Sequence, residues 1–137
     1  MGLVLAISYG PQLATGKTLT VDVQGIRSKE GLVHIMIYDR ATAFENQSET
    51  GMARLTTVGA EEGDMAFRFR KLLPGRYAIF VHHDENANNA FDTTAGSYEG
   101  YAYSQNVGQW TEPSFSEAAF VLEGDMELAP LTVIYTE

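Results

Sequence analysis

Met65-Ala66-Phe67-Arg68-Phe69-Arg70, then Pro74-Gly75, then Tyr77-Ala78-Ile79-Phe80-Val81-His82 is the stretch that decides the fold. Met65, Phe67 and Phe69 alternate with Ala66, Arg68 and Arg70, the period-two pattern of a strand with one face in a core. Pro74-Gly75 is a turn dipeptide, because Pro presets φ and Gly accepts φ > 0. Beyond it Tyr77, Ile79 and Val81 share one face, with Ala78, Phe80 and His82 on the other. The same rhythm runs outward in both directions. Leu19, Val21 and Val23 oppose Thr18, Thr20, Asp22 and Gln24, and after a polar turn from Gly25 to Gly31, Val33, Ile35 and Ile37 alternate with His34, Met36 and Tyr38. Met52 to Val58 is a weaker strand, and two more close the chain, around Ala118 to Leu122 and Leu128 to Tyr135. A short helix is expected around Ala41 to Gln47. Some seven short strands with hardly any helical period predict an all-β, antiparallel, immunoglobulin-like two-sheet sandwich.

At 137 residues the chain fits a single domain, expected from residue 18 to 137, with a core large enough to need no staples. A net charge of −9 argues against nucleic acid and anionic membrane surfaces, which call for clustered Lys and Arg. With no Cys, disulfides, thiolate metal sites and Cys nucleophiles are excluded. Residues 1–17 read as a leader or signal-peptide remnant, with a first strand or a disordered segment as the alternatives. Gly2-Leu3-Val4-Leu5-Ala6-Ile7 is apolar but short, and the first basic residue is Lys17. No stretch approaches the ~20 apolar residues of a transmembrane helix.

From Asp84 to about Glu117 the strand rhythm breaks, and one long loop is expected. Its aromatic residues (Phe91, Tyr98, Tyr101, Tyr103, Trp110, Phe115) predict that it is ordered, packed onto the sandwich. The loop opens with Asp84-Glu85-Asn86-Ala87-Asn88-Asn89-Ala90-Phe91-Asp92. Asp84, Asn86, Asn88 and Asp92 stand at its first, third, fifth and ninth places, the spacing with which a tight loop wraps Ca²⁺. A backbone carbonyl near Ala90 would complete the arc, with a further carboxylate from Glu99 or Asp39. Asn and Asp also make turns with no ion, since their side chains bond local backbone. Asn89 sits where such loops prefer Gly; Asn is the next-best residue for φ > 0.

Other chemistry has less support. His82 and His83 are neighbours on one strand and point to opposite faces, so they do not chelate one metal together. His83, in phase with Ile79 and Val81, reads as a partly buried brace, and His34 as a residue of the polar face. Three convergent zinc ligands are not evident. Gly96-Ser97-Tyr98-Glu99-Gly100 lacks the nucleophile-elbow pattern, and Glu61-Glu62 and Glu112/Glu117 read as turn carboxylates. The Tyr/Trp cluster suits packing beneath the loop better than it suits sugar stacking or a partner.

Several segments together carry a resemblance. Leu73-Pro74-Gly75-Arg76-Tyr77-Ala78 resembles the "L-P-P-G-x-Y-A" turn-strand of transthyretin-like (prealbumin-like) sandwich modules. His83 to Asp92 is similar to "H-D-E-N-x-N-G-x-x-D". Glu99-Gly100-Tyr101-Ala102-Tyr103-Ser104-Gln105-Asn106 and Pro113-Ser114-Phe115-Ser116-Glu117-Ala118-Ala119-Phe120 resemble "E-G-Y-G-F-S-N-N" and "P-x-F-x-x-A-x-F". With the opening Leu19-Thr20-Val21-Asp22-Val23-Gln24-Gly25-Ile26-Arg27, this is the order of the bacterial family called domain of unknown function 2141. The resemblance implies a prealbumin-like sandwich in a periplasmic or secreted setting, without an established activity. It carries the loop over as the family's distinctive feature, onto His83, Asp84, Asn86, Asn88 and Asp92. Asn89 and Ala102 depart from it, each standing where the family has Gly.

Three functions follow as expectations. The first is a non-enzymatic module whose loop, ordered by calcium, contacts a protein or glycan. The second is a hydrolase or carbohydrate-active enzyme using His83 with Asp84 or Glu99. The third is a structural domain with no ligand.

Overall fold

The computed structural model describes residues 15–48, 50–94 and 97–136. The leader reading for residues 1–17 falls almost wholly outside them, and the first strand is under way at Lys17. The strands are β1 (Lys17–Ile26), β2 (Leu32–Tyr38), β3 (Met52–Gly59), β4 (Gly63–Leu72), β5 (Gly75–Asp84), β6 (Thr93–Thr94), β7 (Ser97–Tyr103), β8 (Phe120–Leu122), β9 (Met126–Glu127), β10 (Leu131–Thr132) and β11 (Ile134–Thr136). Two short helices, α1 (Ala41–Glu45) and α2 (Phe115–Ala118), and a 3₁₀ turn at Ser104–Asn106 complete the described residues.

They form an all-β two-sheet arrangement with more strands than seven. The smaller sheet runs β10-β1-β4, with β9 also beside β1; the larger runs β11-β7-β5-β2-β3, with β6 on β7 and β8 on β5. Pairing is antiparallel except that β9 and β10 lie parallel to β1. Leu73-Pro74 is therefore no hairpin: it carries the chain from β4 in one sheet to β5 in the other. A strand that changes sheets must leave its ladder, and Pro, which has no N–H to offer, suits that point.

The alternation read from sequence is the packing pattern. Leu19, Val21 and Val23 of β1, Phe67 and Phe69 of β4, Val33, Ile35 and Ile37 of β2, and Ile79 and Val81 of β5 fill one core between the sheets. Each such side chain, fully buried, contributes on the order of 1.5–3 kcal/mol. The larger sheet is covered on its outer face as well. Tyr38, Ala78, Phe80 and Tyr103 pack there against Phe44 of α1 and Phe115 and Ala118 of α2. Helix α1 lies within the span expected for it. Helix α2 starts on a capping box, in which Ser114 Oγ accepts from Glu117 N and Glu117 Oε1 accepts from Ser114 N. Glu117 is thus a helix cap.

Two expectations are corrected here. The region from Asp84 to Glu117 is not one strandless loop, because β7 runs through it beside β5, with α2 beyond. The inward positions of β7 are Gly100 and Ala102, which give no apolar signal. Gly100 has no side chain because a Cβ there would come within 2.7 Å of Tyr135 Cζ and 2.8 Å of Val133 Cγ1. His34, in turn, is not on an open polar face: that face lies beneath the second layer and His34 is buried.

Candidate functional site

The site forms where β5 runs into the Asp/Asn loop. Because β5 is central and covered on both sides, its alternating residues serve two different environments. His83 points inward with Ile79 and Val81. Its Nε2–H donates to the Glu30 carbonyl at 2.8 Å, which leaves Nδ1 to accept from the Tyr135 hydroxyl at 2.7 Å. His83 is thus a fully buried brace. The next residue along, Asp84, points to the opposite face, so the His83–carboxylate pairing required by the hydrolase reading is not formed.

On the outer face, strand register brings together residues distant in sequence. His34 of β2 lies opposite His82 of β5, and the pairing of His83 with Gly100 sets Glu99 of β7 beside Asp84. His34 Nε2 lies 2.9 Å from Asp84 Oδ2, and its Nδ1 lies 2.8 Å from Thr57 Oγ1. His82 Nε2 lies 2.9 Å from Glu99 Oε1. Metal-ligating atoms of His82, Asp84 and Glu99 all fall within 4.8 Å of one another. His82 and Asp84 are buried and the Glu99 side chain is 10% exposed. Phe91 closes the cluster from the loop side, its ring edge-on to His82 at 5.0 Å.

Two of these carboxylates also cap the loop. Asp84 Oδ1 accepts from the amide of Asn88 at 3.2 Å, and Oδ2 from that of Asn89 at 2.7 Å. Glu99 accepts from the amides of Glu85 and Asp92, both at 3.0 Å. Burial acts to raise the Asp84 pKa, but hydrogen bonds from His34 and the amides of Asn89 and Asn88 outweigh it and hold the carboxyl below its ordinary range. For His82 burial dominates over the Glu99 carboxylate and lowers the pKa, favouring the neutral ring.

The six residues expected to bind calcium separate into two groups. Asp84 and Glu99 turn inward to the histidines. Asp92 Oδ2 accepts the side-chain amides of Asn86 (2.7 Å) and Asn88 (2.9 Å). The carbonyl oxygens of Asn86 and Asn88 in turn accept the backbone N–H of Asn88 and Ala90. The loop oxygens are thus engaged with the loop's own donors. Asn89 takes φ +64°, a left-handed conformation that Asn adopts more readily than any other residue but Gly. Asp39 lies beside Arg40 instead, at 3.9 Å. Sequence reasoning missed the pairing of His34 with Asp84, and of His82 with Glu99. Only the β2–β5–β7 register reveals them.

Next to this cluster lies an open groove of about 220 Å³, lined by Phe91, Tyr101, Tyr103, Gln47, Gln109, Trp110 and Glu112 among others. Phe91 belongs to both features, touching His82 and, at 6.0 Å, Tyr101. Trp110 is 93% exposed. Among the described residues no helix is long and apolar enough to cross a membrane.

No curated protein and no solved structure gives a significant match to this chain. A family model described as an uncharacterized protein conserved in bacteria (DUF2141) matches residues 21–128, a span that runs from within β1 to beyond β9 and includes the Asp/Asn loop. The chain belongs to that bacterial family.

Proposed function

We propose that this chain is a non-enzymatic binding module of the bacterial envelope or the secreted space, and that its aromatic groove takes a saccharide. The observation that carries this reading is Trp110, 93% exposed at a groove whose other walls are Tyr101, Tyr103 and Phe91. Folding gains almost nothing from a large ring left in water, whereas sugar faces stack on such rings. Gln47, Gln109 and Glu112 add amide and carboxylate groups for sugar hydroxyls. The family resemblance supports the envelope or secreted setting.

Trp110 is the chain's one Trp, so its fluorescence reports on the groove alone. Titration with a panel of neutral and acidic oligosaccharides is expected to change that emission saturably. Trp110→Ala should weaken binding about tenfold, measured by calorimetry, because one lost ring stack is worth roughly 1.5 kcal/mol. An emission that stays flat with every saccharide at millimolar concentration would rule the reading out.

In this reading the Asp84–Asp92 loop is ordered by its own donors and does not depend on calcium. A site with Kd near ~10⁻⁴ M would add about 1.4 kcal/mol at ~1 mM Ca²⁺, a rise of a few degrees in Tm. The expected result is no rise. A rise in the wild type that Asp92→Ala abolishes would return the loop to cation binding.

A further inference from the structure

The geometry points to a binding site for a divalent transition-metal ion of the zinc class on the outer face of the larger sheet, with His82 Nε2, Asp84 and Glu99 as ligands. It lies apart from the saccharide groove, and it shares Asp84 and Glu99 with the expected calcium arc but replaces the loop's Asn86, Asn88 and Asp92 with His82. One imidazole among two carboxylates suits a borderline cation such as Zn²⁺ or Co²⁺ better than Ca²⁺, which takes an all-oxygen shell.

Three observations carry it. The first is convergence. The three side chains come from β5 and β7, and their ligating atoms lie within 4.8 Å of one another. Metal–nitrogen and metal–oxygen bonds near 2.1 Å set ligand atoms roughly 3.4 Å apart, so sub-ångström shifts would centre an ion.

The second is charge. Among the described residues the only ion-pair partners of Asp84 and Glu99 are imidazoles. Two carboxylates buried here without a Lys or Arg partner among the described residues are costly unless compensated. A divalent cation balances them one for one. The salt bridge of Arg27 with Glu85, at 2.6 Å, serves a different carboxylate.

The third is the surrounding support. Thr57, His34 and Asp84 form a relay in which His34 fixes one Asp84 oxygen. The Asn89 amide donates to that same oxygen and the Asn88 amide to Asp84 Oδ1, while the amides of Glu85 and Asp92 hold Glu99 Oε2 and Oε1. Ligands held by such outer partners are pre-oriented for an ion. Only the His82–Glu99 hydrogen bond must give way. The His82 proton then resides on Nδ1, Nε2 presents its lone pair to the ion, and no proton is lost. Asp84 Oδ1 and Glu99 Oε2 each keep a lone pair beyond the one amide they already accept. His34 is a positioning residue acting through Asp84.

The test adds Co²⁺ to chelator-treated protein and reads its visible d–d absorption, then adds Zn²⁺ as competitor. One equivalent of Co²⁺ should develop the band and one of Zn²⁺ abolish it. His82→Gln should lose it, while Asn86→Ala on the exposed loop keeps it. Should His82→Gln fail to fold, imidazole nitrogen shifts of the wild type on Zn²⁺ addition decide the matter. The chain has only three His, so Nε2 of His82 should move strongly while both nitrogens of His83 stay in place. Absence of the band, a band that survives in folded His82→Gln, or an unmoved His82 Nε2 would each overturn the assignment.

Discussion

Asp84→Ala is expected to destabilise the protein by about 3–5 kcal/mol in chelator-containing buffer, the range for removing one partner of a buried charged pair. The carboxylate is fully buried and accepts from three donors: His34 Nε2 at 2.9 Å, Asn89 N at 2.7 Å and Asn88 N at 3.2 Å. Its loss strands two backbone N–H groups and an imidazole in a space too enclosed for each to be resolvated freely. Each donor left unsatisfied costs roughly 1–3 kcal/mol. For a domain of this size that is a fall in Tm on the order of 10–20 °C. Asp92→Ala is the matched control. Asp92 is half-buried and, among the described residues, its carboxylate accepts only from the exposed side chains of Asn86 and Asn88, so it should cost about 1 kcal/mol or less. Amide hydrogen exchange separates the two locally, with protection of Asn88 and Asn89 lost in Asp84→Ala alone. A Tm for Asp84→Ala within two degrees of the wild type would show that the Asp84 carboxylate does not hold the loop. The consequence reaches the groove as well. Phe91 rides on this loop and lines the groove beside Tyr101, so the same substitution should weaken saccharide binding although Asp84 is not among the groove's lining residues.

How much of this was legible in the sequence depends on where the information sits. The strands β1, β2, β4 and β5 announce themselves because their inward positions are large and apolar, so period two is written in each strand alone. β7 is different. Its inward Gly100 and Ala102 make room for Val133 and Tyr135, which arrive from the chain's far end. The hydrophobic signal that should mark β7 therefore stands in another segment. The crossing at Leu73-Pro74 has the same character: Pro74-Gly75 predicts a turn, but which sheet receives β5 is decided by pairing with β2 and β7. At the site, the Asp/Asn spacing points to the loop and not to the neighbours that its oxygens meet. Spacing describes a loop's circumference, whereas the direction of Asp84 and Glu99 is set by the alternation of β5 and β7. His34 and His82 stand 48 positions apart and meet only through register. No local pattern encodes that.

Gly31→Ala is the second large effect, an expected loss of about 2–5 kcal/mol. Gly31 has φ +72°, where an L side chain costs roughly 1–2 kcal/mol. A Cβ there would also strike the Asp84 carbonyl oxygen and lie 2.6 Å from that of Glu85. Both are backbone atoms at the end of β5, and they cannot rotate away as a side chain could. Relief requires the β1–β2 turn to withdraw from the start of the loop, which adds an overpacking term of about 1–3 kcal/mol. Withdrawal is resisted on two sides, by the hydrogen bond from Ala60 N to the Gly31 carbonyl at 3.0 Å and by the pairing of Leu32 with Asp84. Gly63→Ala isolates the conformational part, because Gly63 has φ +98° and a Cβ added to it would meet nothing within 4 Å. Denaturant unfolding of both variants should therefore place Gly31→Ala at least 1 kcal/mol below Gly63→Ala. Equal losses would mean that the close approach of Gly31 to Asp84 and Glu85 contributes nothing. The direction of the shift matters too. If the turn yields, the end of β5 moves with it, and the Asn88 and Asn89 amides, hung on Asp84, should lose exchange protection before the strand interior does. Loss of that protection in Gly31→Ala but not in Gly63→Ala would tie the glycine to the placement of Asp84, and through it to the histidine–carboxylate cluster.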